Sequence, residues 1–212
     1  MVMQDGDLIL TPHGCWHEHA HDGDENMVWI DGLDVPLVQA LQQISFDPYK
    51  GRLPVNEAID PALFHGMTRP VGTNTSEAPQ VLHYHWRDTY ASLQQLARTT
   101  GSPFDGAALE FVNPANGGPT LPTMSCQVQM LRPNEKTKSH RHTSTSIYHA
   151  FRGSGTTLIN GETFHWQKGD TFIVPLWSWH EHANGSTTDE AILFSMHDEP
   201  ILKAFGLYRE EA

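Results

Sequence analysis

The amino-acid sequence predicts an all-β fold made of two related barrel-like domains, and three observations carry that reading. Residues 6–22 (GDLILTPHGCWHEHAHD) align without a gap on residues 169–185 (GDTFIVPLWSWHEHANG), with eight of 17 positions identical. Identity spread over Gly, Asp, Pro, Trp, His, Glu and Ala marks a duplicated unit rather than shared composition. GDLILTP and GDTFIVP are short apolar runs opened by Gly-Asp and closed by Pro, as buried strands ended by a turn are. More runs of this kind, residues 125–131, 147–151, 156–159 and 163–166, precede the second copy. Asn160-Gly161 between the last two is a type I′ hairpin signal.

Past the identical core, one extra residue in the second copy brings residues 27–41 (MVWIDGLDVPLVQAL) onto residues 191–205 (AILFSMHDEPILKAF). The hydrophobic pattern continues there, and Asp34, Pro36 and Ala40 recur as Asp198, Pro200 and Ala204. Residues 42–122, between the copies, are rich in Pro and Gly. Their clearest element is a helix over residues 88–98, with Tyr90, Leu93, Leu96 and Ala97 on its apolar face and Gly101 and Pro103 ending it. The chain therefore divides into residues 1–41, the C-terminal part of a first barrel, residues 42–122, a mixed helical connector, and residues 123–212, a second and complete barrel.

Composition narrows the function classes. A net charge of -12, with 13 Lys plus Arg and none of them clustered, excludes a phosphate-binding surface for nucleic acid. No apolar run approaches the roughly 18 residues a membrane helix needs. Cys15 and Cys126 lie far apart and form no disulfide framework, so a reducing cytoplasm is expected. The anomaly is histidine: 14 copies, more than Lys and Arg together, which directs attention to metal ligands.

Residues two apart on a strand share a face, so His140 and His142 can approach one metal ion, with His180 joining them from a later strand. Three imidazoles suit a first-row divalent ion and leave coordination positions open for substrate and oxygen. The competing reading makes His140-Arg141-His142 a surface turn and His180 a structural residue. His182 shares a side with His180 and is a candidate either to replace it as ligand or to touch substrate. The spacing resembles the cupin superfamily, whose motifs are HxH followed by an acid, then G(x)5PxG(x)2H. Here the second motif runs from Gly169 through Pro175 to His180, with Trp177 where the pattern has Gly. The acid expected after His142 falls on Ser146 or Ile147, which points to a three-histidine centre.

Further stretches carry a closer resemblance: NPANGGPTLPTM (113–124), SHRHTSTSIYHAFRGSG (139–155), WHEHAN (179–184), LYREE (207–211) and WIDGLDVPL (29–37). Together they resemble the gentisate 1,2-dioxygenase family of two-barrel (bicupin) ring-cleaving enzymes, which also act on salicylate and 1-hydroxy-2-naphthoate. The resemblance implies double-stranded β-helix barrels, Fe(II) as cofactor, and a small aromatic hydroxy acid and O2 as substrates. It implies conversion of gentisate to maleylpyruvate and a homo-oligomer, a tetramer in the family. It also makes His17 a first-barrel iron ligand, His19 a proton-handling or orienting group and Asp31 an anchor for the substrate's polar edge, beside His140, His142 and His180 as second-barrel ligands. The repeat singles out Asp31 and Trp29 as well, because their counterparts are the neutral Ser195 and Leu193.

His140 precedes His180 by 40 residues, and His180 aligns on His17, so the first copy's HxH would fall about 23 residues before Met1. The expectation is a shortened form that keeps only the downstream wall of its first barrel, with impaired activity. Either it is still a dioxygenase or it is a metal-binding cupin without catalysis. The missing strands should expose apolar surface on the remnant.

Overall fold

A computed structural model describes residues 2–11, 13–51, 82–99, 101–114 and 116–212. Of the expected connector, residues 52–81 lie outside the described residues. The chain divides into two compact units, one of residues 1–3 and 9–83, the other of residues 4–8 and 84–212.

In the N-terminal region the first apolar run forms β1 (Leu8–Leu10), which pairs with β2 (Leu82–Tyr84). The repeat's helix-forming end gives α1 (Val35–Ala40), entered by Asp34 and with Pro in its first turn. Between them residues 15–34 form no strand or helix. Val28, Trp29, Ile30 and Leu33 are exposed, as expected of strand-forming residues without a partner strand.

The larger unit is built on α2 (Trp86–Leu96) and ten strands. These are β3 (Ala107–Glu110), β4 (Ser125–Leu131), β5 (Arg141–His142), β6 (Ser146–Arg152), β7 (Ser154–Ile159), β8 (Glu162–Gln167), β9 (Thr171–Val174), β10 (His180–Ala183), β11 (Ala191–His197) and β12 (Glu210–Glu211). A five-stranded sheet has the order β3-β4-β11-β6-β9, a three-stranded sheet the order β10-β7-β8, and β12 pairs with β5. All these pairings are antiparallel. The non-sequential order, with β11 between β4 and β6, is the crossed wrapping of a double-stranded β-helix. The β7–β8 hairpin turns at Asn160-Gly161, both at positive φ (49° and 91°), as a type I′ turn requires.

Alternation along the strands separates two cores. Leu131, Tyr148, Ala150, Val174 and Leu193 of the larger sheet meet Ile159 and Trp166 of the smaller one inside the barrel. Cys126, Val128, Met130 and Ile192 face the other way and are covered by Leu93 of α2, with Tyr90, Leu96 and Ala97 beside it. The helix starts two residues earlier than its apolar spacing predicts, and its apolar face is the predicted one. Each fully buried Leu or Ile contributes about 1.5–3 kcal/mol. A second short helix, α3 (Glu199–Ala204), follows β11 and matches α1 position for position in the repeat.

Candidate metal centre

His142 lies on β5, His180 opens β10, and His140 stands one residue before β5 and is bridged to His180. The bridge is reciprocal: the His140 N–H donates to the His180 carbonyl at 3.0 Å, and the His180 N–H to the His140 carbonyl at 2.9 Å. Backbone pairing of this kind sets the separation of two imidazoles before any ion arrives. One ring atom from each of His140, His142 and His180 lies within 4.8 Å of the other two, and all three residues are buried. The surface-turn alternative for His140-Arg141-His142 does not describe this arrangement.

The donor chemistry fits a divalent cation. The Nδ1–H of His180 donates to the Ser178 carbonyl at 3.0 Å, and Nδ1 of His142 meets the Ser144 carbonyl at 2.9 Å and Ser144 Oγ at 2.8 Å; donation to these carbonyls leaves each Nε2 as a lone pair. Nδ1 of His140 and Nε2 of His180 are buried with no hydrogen-bond partner. An unsatisfied buried polar atom costs about 1–3 kcal/mol, which coordination would remove. Burial pushes the His180 imidazolium down to about 3, helped by the nearby His140 and His142, and burial likewise lowers His142. Both are therefore neutral at physiological pH, the form in which an imidazole can ligate a metal. The Asp105 carboxylate stands beside the group, with Oδ1 3.9 Å from Nε2 of His140.

Trp177 occupies the position where the motif has Gly and holds the left-handed backbone (φ 57°) that Gly would adopt without strain. Its N–H donates to the His142 carbonyl at 2.7 Å, and its ring lies 4.4 Å beneath the Arg141 guanidinium, with Trp179 on the same cation at 4.7 Å. Arg141 also pairs with Glu211 of β12 at 2.6 Å, so β12 and the two tryptophans hold the strand that carries His142.

One interior histidine was not singled out in the sequence. His197 is buried between Ser146 (Oγ to Nδ1, 2.7 Å) and Ser195 (Oγ to Nε2, 2.8 Å), with its ring 6.3 Å from that of His142. Ser146, where four-ligand cupins would place an acid, thus binds a histidine. The alternation Leu193, Ser195, His197 along residues 191–197 was the available signal for an inward histidine. His182 is buried beside His180 and lies outside the three-histidine group.

The first-copy residues are placed differently. His17, His19 and Asp31 are all exposed. His17 and His19 are ring neighbours at 5.7 Å, and His19 lies 4.9 Å from Trp29. Among the described residues these side chains belong to no metal-capable group.

Comparison with known proteins places this geometry in context. The family model described as Cupin domain matches residues 127–197. Over its full length the chain is 45% identical to a 5-aminosalicylate 1,2-dioxygenase of Comamonas sp and 38% identical to a 1-hydroxy-2-naphthoate 1,2-dioxygenase of Nocardioides sp. strain KP7. Among solved structures, a variant of the salicylate 1,2-dioxygenase of Pseudoaminobacter salicylatoxidans in complex with gentisate superimposes with a TM-score of 0.85 at 30% identity, over 99% of this chain. The chain spans 57%, 55% and 60% of these three proteins, respectively.

Proposed function

We propose that this chain belongs to the gentisate/salicylate-type ring-cleaving cupin dioxygenases, holds Fe(II) on His140, His142 and His180 and serves ring cleavage of an aromatic hydroxy acid by O2. The observation that carries the reading is the buried three-histidine group with its ligand atoms within 4.8 Å of one another. Iron bound there would bring substrate and oxygen together and carry electron density between them. The chain's own contribution is to keep His142 and His180 neutral and aimed, through the Ser144 and Ser178 carbonyls.

The substrates named for the relatives share a ring carboxylate beside a hydroxyl, and that pair defines the substrate class more broadly than gentisate alone. In the first barrel, His17 would serve as a ligand, His19 as a proton-handling or orienting group and Asp31 as the anchor for the substrate's polar edge. Their exposure here supports impaired turnover in the 212-residue chain. The same exposure favours a second reading, a barrel that binds metal and does not turn over. A cytoplasmic homo-oligomer, tetrameric by family, completes the proposal. Light scattering tests its assembly.

The deciding experiment is anaerobic Fe(II) loading followed by iron analysis and oxygen uptake with 5-aminosalicylate and gentisate. About one iron per chain, lost in His140→Ala and His142→Ala, with slow uptake supports the reading. Iron with no uptake favours the second reading. Absence of retained iron overturns both, and uptake at rates typical of efficient enzymes overturns the impairment.

A further inference from the structure

His180 and His182 lie two residues apart on β10, each about 1% exposed and each pointing into the barrel. Their Nδ1 atoms meet opposite chemistry. Nδ1 of His180 faces the Ser178 carbonyl, which can only accept, so its proton is on Nδ1. Nδ1 of His182 lies 2.8 Å from Thr157 Oγ1, and that oxygen lies 3.0 Å from Nε1 of Trp166. An indole N–H can only donate. Thr157 Oγ1 accepts from Trp166, and among the described residues Nδ1 of His182 is the one acceptor placed against its hydroxyl proton; the buried hydroxyl satisfies that proton by donating to Nδ1, which leaves the imidazole hydrogen on Nε2. That Nε2 is buried with no partner. One strand thus presents a lone pair and an N–H on neighbouring rings, 5.7 Å apart.

We infer that His182 is a hydrogen-bond donor, set by the Trp166–Thr157 relay, for a carboxylate-bearing aromatic ligand seated in the barrel beside the three-histidine centre. An N–H cannot ligate a metal, which agrees with the absence of His182 from the three-histidine group. A second orphan supports the same ligand class. Gln129 Nε2 is buried without a partner on β4, on the side of inner-core Leu131 and opposite Val128 and Met130. Two unpaired donors inside one barrel suit an acceptor-rich guest such as a carboxylate. The Tyr148 and Phe172 rings, stacked at 5.2 Å and lying 4.8 and 6.2 Å from the His182 ring, supply an apolar wall for an aromatic body. The inference rests on the proposed metal centre and adds a donor for its ligand.

The test uses the full chain loaded with zinc, which gives no turnover, and salicylate as probe. Nitrogen-15 NMR of the imidazoles reads the tautomers directly, with Nε2 of His182 expected to carry the proton while Nδ1 carries it in His180. In His182→Phe, zinc content stays at the wild-type level and salicylate binding by calorimetry weakens on the order of tenfold or more. His182→Gln, which keeps a donor near the same place, recovers part of that loss. A proton on Nδ1 of His182 overturns the inference. So does zinc loss in His182→Phe equal to that in His180→Ala, or unchanged salicylate affinity. Failure of the wild-type chain to bind zinc would instead remove the metal reading, with the tautomer measurement still standing by itself.

Discussion

Residues 17–20 and residues 180–183 are both His-Glu-His-Ala, yet the first four are exposed coil and the second four are strand β10 with both histidines buried. The difference is supplied by a partner. In the second copy β7 pairs along the whole tetrapeptide, His180 opposite Ile159 and His182 opposite Thr157, and Thr157 also fixes the ring of His182. The helices behave in the opposite way. Asp34 and Asp198 enter α1 and α3 with nearly equal dihedrals (φ −90°, ψ 21° and φ −87°, ψ 14°), each followed by a Pro in the first turn. A short helix closes its hydrogen bonds within its own residues, so both copies form it. A strand closes its bonds on another segment, and among the described residues only the second tetrapeptide is paired.

The largest effect that could break this comparison is metal binding. His180→Ala should remove the bound ion, lowering affinity by about two orders of magnitude or more, while the aligned His17→Ala leaves metal content unchanged in this chain. Metal analysis after gel filtration reads both. Equal loss in the two variants would show that His17 is a ligand after all.

A smaller, structural difference is expected at the aligned pair Leu193 and Trp29. Leu193 is fully buried in the barrel core, so Leu193→Ala should cost about 2–5 kcal/mol in a denaturant titration followed by circular dichroism. Trp29 is 47% exposed, and Trp29→Ala should cost no more than about 0.5 kcal/mol despite removing the larger side chain. A comparable loss at Trp29 would mean that the N-terminal copy is packed in solution.

The smallest effect concerns the two thiols. Burial pushes the Cys126 thiol up to about 11, with a hydrogen bond from Thr120 working against that shift, whereas Cys15 is partly exposed. A thiol reagent at pH 8 should therefore label one site per native chain, Cys15, and both after denaturation. Because the unfolded thiol ionises near 8.5, the unfolded state loses that proton first. Stability should then fall as pH rises from about 8.5 towards 11, by about 1 kcal/mol at pH 9. Replacing Cys126 with Ala should flatten that part of the curve, and an unchanged slope would place its origin elsewhere.

Much of the barrel was legible because its signals are local. Residues 125–131 alternate and become β4, Asn160-Gly161 becomes the hairpin turn, and the apolar spacing around Leu93 becomes α2. His140, His142 and His180 were legible as a group through a motif whose spacing encodes strand parity. His197 was not, because it has no motif around it. Its place beside His142 depends on β11 being inserted between β4 and β6, and that pairing is non-local. Trp177 read as a departure from the pattern; the structure shows that it keeps the backbone conformation of the Gly it replaces.

By itself the sequence determined the duplication, the strand and turn positions of the second barrel, and the three histidines that share a face. Each of these depends on residue identity and on spacing along the chain. Tertiary structure alone decided which copy of His-Glu-His-Ala becomes a strand, which imidazole nitrogen carries a proton, and which histidines are driven neutral by burial. Several of those properties depend on partners brought from 20 to 60 residues away, such as Thr157 for His182 and Ser146 for His197, whereas the carbonyls that face His142 and His180 are two residues away and become fixed only when their strands pair. A chain can specify such partners only by folding.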